Sequence, residues 1–215
     1  MAVRSLVLLV ACAAIAAACG GSSSPSELPD PAVTPHPTNP AGAAYPTANL
    51  GSNAGQVAPN LAFEGYPDSN KAGGLVNVSF ADFYDPTGKD HTVLYVSIGA
   101  TWCSACAAHT KVMKSVGPAY RAKGVVMLEM LVAGATSGYG PSQSELDGWV
   151  DTHATAWTVA ADVRGRRMFG QLDFVGVPSS MLIDTRTMVI IHQASGSPDD
   201  LGAYMQLGLD FVAKH

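Results

Sequence analysis

Charge is scarce in this chain. Asp, Glu, Lys and Arg make up 13% of its 215 residues, and 12 Lys and Arg face 17 Asp and Glu. A formal charge of -5 supplies no positive field to hold a phosphate backbone, and the aromatic residues, 7% of the chain, are not interleaved with basic ones, so nucleic acid is excluded as a partner. Cysteine is scarcer: the four residues are Cys12, Cys19, Cys103 and Cys106. No second close pair of Cys or His accompanies Cys103 and Cys106, which argues against a four-ligand zinc site and leaves no metal expected. No apolar run reaches the roughly 20 residues of a comfortable membrane span. There is no internal repeat, and Gly138-Tyr139-Gly140 lacks the Lys-Ser/Thr or spaced third glycine of a phosphate loop.

What is present begins at the N-terminus. Arg4 followed by the apolar run Leu6 to Ala18 has the charged and apolar regions of an export signal over residues 1-18. Ala16-Ala17-Ala18-Cys19 resembles a bacterial lipobox, in which the signal is cut before a cysteine that receives a diacylglycerol. Leu9-Val10-Ala11-Cys12 has the better lipobox letters but leaves an apolar run of only seven residues, Ser5 to Ala11, so Cys19 is preferred as the lipidation site. The alternative is cleavage nearby, giving a secreted protein without an anchor. Residues 19-56 read as a tether: Gly20 to Ser26 is polar, and Pro29, Pro31, Pro35, Pro37, Pro40 and Pro46 interrupt helix and strand. The expected organisation is a lipoprotein anchored to a membrane, with a domain over 57-215 facing the periplasm or cell exterior. With Cys12 removed and Cys19 acylated, Cys103 and Cys106 are the remaining thiols. In a disulfide-permissive compartment such a close pair reads as a redox couple rather than a staple across a long loop.

The domain reads as alternating strands and helices. Val93 to Ile98 and Val125 to Val132 are apolar, β-branched runs that predict buried strands. Ala105 to Tyr120 predicts a helix, with Gly117-Pro118 kinking or interrupting it. Ser144 to His153 predicts a second helix, Trp157 to Ala160 a short strand, and Arg164 to Leu172 a further helix whose Asp162 and Arg166-Arg167 surroundings are a solvated, capped start. Ser179 to Ile183 and Met188 to His192 predict a hairpin, and Pro198 to Ala213 a closing helix. Parallel units followed by an antiparallel pair give a three-layer α/β/α domain with a mixed central sheet.

Against that background, Gly99-Ala100-Thr101-Trp102-Cys103-Ser104-Ala105-Cys106 resembles the active-site segment of the thioredoxin superfamily, in its exported TlpA/ResA-like branch. Ala58-Pro59-Asn60-Leu61, Val78 to Phe83 with Gly88-Lys89, and Gly176-Val177-Pro178-Ser179-Ser180-Met181-Leu182-Ile183-Asp184 resemble further motifs of that branch. Together they span nearly all of residues 57 to 192. The resemblance implies a thioredoxin fold and thiol-disulfide oxidoreductase activity, with Pro178 in a cis-proline loop. Two positions depart from it. Ser97 stands where many thioredoxins place a buried acid, and His109 where this branch often has glutamate. Tyr84 to Thr87 also lengthens the segment before the strand.

The chemistry follows from placement. Cys103 falls at the start of a helix, where unpaired N-H groups and the helix dipole favour its thiolate, so it is the expected nucleophile; Cys106, one turn on, is the expected resolving thiol. Trp102 shields the pair on one side, and Val177 beside Pro178 offers backbone to an extended substrate. No cofactor is expected beyond the Cys103-Cys106 disulfide itself. The expected partners are thiols and disulfides of exported proteins, an unidentified electron donor or acceptor, and the membrane through the N-terminal lipid. His109 reads as an acid-base neighbour of Cys106 or, slightly favoured, as a solvated helix residue. Glu129, in an apolar strand, is either a base near the site or a strand-end carboxylate reaching solvent, and His192 is a strand-end surface residue. Two other functions are compatible with parts of the pattern: a peroxiredoxin-like thiol peroxidase, suggested by Thr101 but lacking the proline that Ser97 replaces, and a Sco-like copper protein using both thiols and His192.

Overall fold

A computed structural model describes residues 42-136, 138-162 and 166-215, with the side chain of Arg166 excepted. The segment expected to be an export signal, Cys19 and the expected tether up to residue 41 lie outside the described residues.

The central strand explains the architecture. β3 (Val93–Ala100) is buried along its whole length, so it needs cover on both faces and a neighbour on each edge. β4 (Val125–Ala133) pairs with it in parallel, and β5 (Thr158–Ala161) continues the parallel run. On the other edge, β6 (Ser179–Asp184) and β7 (Val189–Ser195) form the expected antiparallel hairpin. Two strands were not anticipated: β1 (Ala62–Tyr66) and β2 (Val76–Ser79) form an antiparallel hairpin that joins β5, giving the order β2-β1-β5-β4-β3-β6-β7. The sheet is mixed, as expected, but antiparallel at both ends.

Three helices cover one face: α1 (Ser104–Arg121), α2 (Gln143–His153) and α4 (Leu201–Val212) contribute Met113, Leu146, Trp149 and Met205 to a core with Tyr95 and Met127. The opposite core gathers Leu94, Val96 and Ile98 with Phe80, Phe83 and Met168 of the short α3 (Arg166–Gln171). Val163, Arg164 and Gly165, where the third helix was expected to begin, lie outside the described residues. Asp162 does cap α3, accepting from the N-H groups of Arg167 and Met168, but it is buried, as is Arg167, and the solvated reading does not hold.

Two further expectations are corrected. α1 runs through Gly117-Pro118 without interruption. Gly117 lies against the sheet, where a Cβ would come within 2.7 Å of Met127 Cε, and this packing outweighs the local preference to break. The tether also ends before residue 56. Tyr45 is buried, its hydroxyl donates to the Ala58 carbonyl at 2.8 Å, and its ring meets Tyr84 edge-on. Gly55 and Gln56 then pair with Ile190 on β7, covering part of the exposed sheet edge. One anchoring aromatic and an unpaired strand edge supply what the Pro-, Gly- and Ala-rich composition does not advertise.

Candidate active site

The turn after β3 delivers Cys103 to the N-cap of α1. Its backbone is extended, and its Sγ accepts the Cys106 N-H at 3.0 Å, satisfying one of the helix's first donors. Cys103 and Cys106 are joined by a disulfide, with Cα atoms 5.2 Å apart. Cys106 is the deeper sulfur, seated over Gly99, where a Cβ would approach its Sγ to 3.6 Å. Cys103 is 8% exposed and Cys106 3%, so an incoming group meets Cys103 first.

Trp102, next to Cys103 in the turn, stands 63% exposed while both cysteines are buried. The turn that carries it is fastened from behind. Glu145, in the first turn of α2, accepts from Thr101 Oγ1, from the Ala135 N-H, and from the N-H and hydroxyl of its N-cap Ser142. Burial pushes the Glu145 carboxyl up, but these hydrogen bonds outweigh it and hold it below the usual carboxylate range. The Val177-Pro178 peptide is cis, and Val177 packs against the same core as the two cysteines. Among the described residues, neither the N-H nor the C=O of Val177 makes a hydrogen bond, whereas the Pro178 carbonyl is taken by the Gly196 N-H at 2.8 Å. That leaves main-chain donor and acceptor free for an extended chain.

Beneath α1 lies a polar cluster that the sequence only hinted at. Glu129 does not reach solvent; it is 1% exposed in the middle of β4, directly opposite Ser97 in the strand register. Thr110 Oγ1 donates to Glu129 Oε1 at 2.5 Å and lies 3.0 Å from the Cys106 carbonyl, while Trp157 Nε1 donates to Oε2 at 2.9 Å. The buried Trp149 Nε1-H finds no partner at normal hydrogen-bond geometry and favours the charged carboxylate at longer range. Among the described residues Glu129 has no cationic partner. Burial therefore dominates and raises its carboxyl above the usual range, against the hydrogen bonds that favour its charge.

His109 is not solvated either. It is buried on α1 with Nε2 2.6 Å from the Tyr95 hydroxyl, which also meets Ser180 Oγ at 3.0 Å. Burial pulls its imidazole down to about 4, so it is neutral near pH 7. His192 is exposed, as expected, but lies in the middle of β7 and not at its end, with Nδ1 3.3 Å from the Tyr204 hydroxyl. Among the described residues no three His, Cys, Asp or Glu side chains come together in a metal-binding group, which leaves the copper reading without a ligand set. Thr110, Tyr95 and Trp157 carried no functional signal in the sequence and Ser180 entered only as part of the Gly176–Asp184 motif; an acid in an apolar strand and the unexpected His109 were what pointed to this region.

No protein-family model and no curated protein sequence matches the chain. Solved structures do. A protein from Chlorobium tepidum assigned as a thiol:disulfide interchange protein DsbE superposes with a TM-score of 0.56 at 23% identity, covering 74% of this chain and 96% of that one. The thioredoxin domain of a Bacteroides vulgatus thiol-disulfide oxidoreductase gives 0.54 at 17% identity, covering 72% and 96%. Enterococcus faecalis AhpC gives 0.57 at 12% identity, covering 75% and 95%. The fold is thus that of a thioredoxin domain, and the three-layer α/β/α expectation holds.

Proposed function

We propose that this chain is a thiol-disulfide oxidoreductase that exchanges disulfides on exported proteins. One observation carries the reading: a disulfide-bonded cysteine pair sits at a helix N-terminus, with Cys103 as the N-cap and the more exposed residue of the two, and a cis-proline loop with free backbone packs against the same core. The export and lipid anchoring part of the proposal rests on Arg4, the apolar run to Ala18 and Cys19.

In the reduced protein, the Cys103 thiolate attacks a substrate disulfide. One sulfur of the substrate leaves as a thiol after taking up a proton, and the other is held on Cys103. Cys106 then loses its proton and its thiolate attacks Cys103 Sγ. The Cys103-Cys106 bond forms, the second substrate thiol departs, and two electrons have passed from the dithiol to the substrate. Glu129 is the group we assign to take the Cys106 proton. It is a buried carboxyl on β4 with no cationic partner among the described residues, linked to the Cys106 carbonyl through Thr110, one turn along α1 from Cys106, whereas His109 is neutral and turned to Tyr95. A dithiol donor of lower potential restores the reduced state.

Reduction of insulin by the protein in the presence of dithiothreitol, followed as precipitation of the free B chain, tests the reading. Acceleration over dithiothreitol alone that is lost in Cys103→Ser is the expected result. Equal activity in that variant overturns it.

A further inference from the structure

Glycine inside a helix needs a reason, because it costs about 1 kcal/mol relative to alanine. At Gly117 and Gly208 the reason is contact: a Cβ would come within 2.7 Å of Met127 Cε and 2.9 Å of Val93 Cγ1, respectively. Gly148, in the middle of α2, has no such reason. It is exposed, its φ lies outside the left-handed region, and a Cβ there meets no atom within 4 Å. What it borders is a cleft of about 380 Å³ between α2 and the turn bearing Trp102.

Three rings border the cleft. Trp102 stands on one side, and Trp149 with His153, whose rings lie 4.2 Å apart, on the other. Ala135 also lines it, and Thr152 lies on its helix side. Glu145 borders it too, but its carboxylate already accepts four donors, so the cleft is not built to take a cation. Burial and the nearby Lys111 and Lys114 lower the His153 pKa, so that ring presents a neutral face. At the low end of the roughly 300–1,000 Å³ range of ligand pockets, the space suits a side chain and not a domain.

We propose that this cleft is the subsite for an aromatic side chain of the polypeptide whose disulfide reacts at Cys103. The inference rests on the oxidoreductase reading. A substrate sulfur that reaches Cys103 brings the residues flanking it across Trp102. An aromatic ring among them gains offset or edge contacts with Trp102, Trp149 and His153 and takes the exposed indole out of water. A side chain at position 148 would occupy that volume, which gives the glycine its function.

Two homodimeric peptide disulfides, identical except for Phe or Ala beside the cysteine, test this with the dithiothreitol-reduced full chain. The wild type is expected to reduce the Phe peptide about tenfold faster or more, the scale at which an apolar pocket discriminates. Gly148→Leu fills the cleft and is expected to bring the ratio to about one. Thr152→Trp, at an exposed position on the same wall, is the second filling variant should Gly148→Leu not fold. Equal rates in the wild type, or a preference that survives filling, overturn the subsite. Failure to reduce either peptide, with insulin also untouched, removes the oxidoreductase reading and the subsite with it.

Discussion

At the scale of single residues, the cysteine pair and Trp102 were legible from their local spacing, and Pro178 from the resemblance of Gly176 to Asp184 to a cis-proline loop. Glu129 and His109 were visible as oddities only. Whether a carboxylate in an apolar strand reaches solvent depends on what packs over it, and α1, Trp157 and Thr110 come from distant parts of the chain. Their burial has opposite consequences for stability. Burial raises the Glu129 carboxyl, so the folded state holds its proton to higher pH than the unfolded chain does, and stability falls as pH rises from the unfolded pKa through the folded one. Glu129→Gln removes that penalty. Its melting temperature is expected to exceed the wild type's at pH 7-8, with the difference shrinking toward pH 4. The same variant should slow resolution of the Cys103 mixed disulfide by about a hundredfold, a typical general-base contribution, as read by release of the second thiol from an aromatic disulfide reagent. An unchanged second phase contradicts the proton assignment. His109, pulled down to about 4 by burial, contributes stability present above its unfolded pKa of roughly 6.5 and lost as pH falls toward 4. His109→Gln should flatten the melting temperature across that interval, and an unaltered pH profile would remove His109 as its source.

Among elements, the long, strongly patterned ones were readable: β3, β4, α1 and the β6-β7 hairpin occupy nearly their expected spans. The β1-β2 hairpin was not. β1 has five residues, Ala-Phe-Glu-Gly-Tyr, and takes its strand conformation from pairing with β2 on one edge and with β5, about a hundred residues away in sequence, on the other, not from its own pattern. Gly65 sits at that junction, where a Cβ would collide with the Val159 carbonyl and Ala160. The lengthened segment after Tyr84 also has an organiser. The buried Asp85 carboxylate accepts from the Thr87 N-H and hydroxyl and from the N-H groups of Asp90 and His91. Burial pushes Asp85 up, but these bonds prevail and hold it well below the usual carboxylate range. Its contribution is therefore present above the unfolded pKa and lost as pH falls through the lower folded value. Asp85→Ala is expected to cost about 1–3 kcal/mol in urea unfolding at pH 7, and less near pH 2, where the unfolded chain is protonated at this position. A full-sized loss at both pH values would show that packing, not the carboxylate, is responsible.

For the whole molecule, the N-terminal segment framed the expectation of export, the cysteine count that of a single redox pair, and alternating strands and helices that of a three-layer domain. The point at which the tether meets the domain was illegible, since a single buried tyrosine and an unpaired edge of β7 decide it. Anchoring makes its own prediction. The full chain expressed in a bacterium should partition with the membrane and carry a lipid mass on Cys19, and Cys19→Ala should lose both. Partition unaltered by that change would rule out Cys19 as the lipid site. The central claim concerns the disulfide pair, and trapping the exchange intermediate tests it most directly. Cys106→Ala, reduced and mixed with a disulfide-bonded protein, should accumulate a mixed disulfide that peptide mapping places on Cys103, while Cys103→Ala accumulates none. A mixed disulfide on Cys106, or none in either variant, would contradict the account.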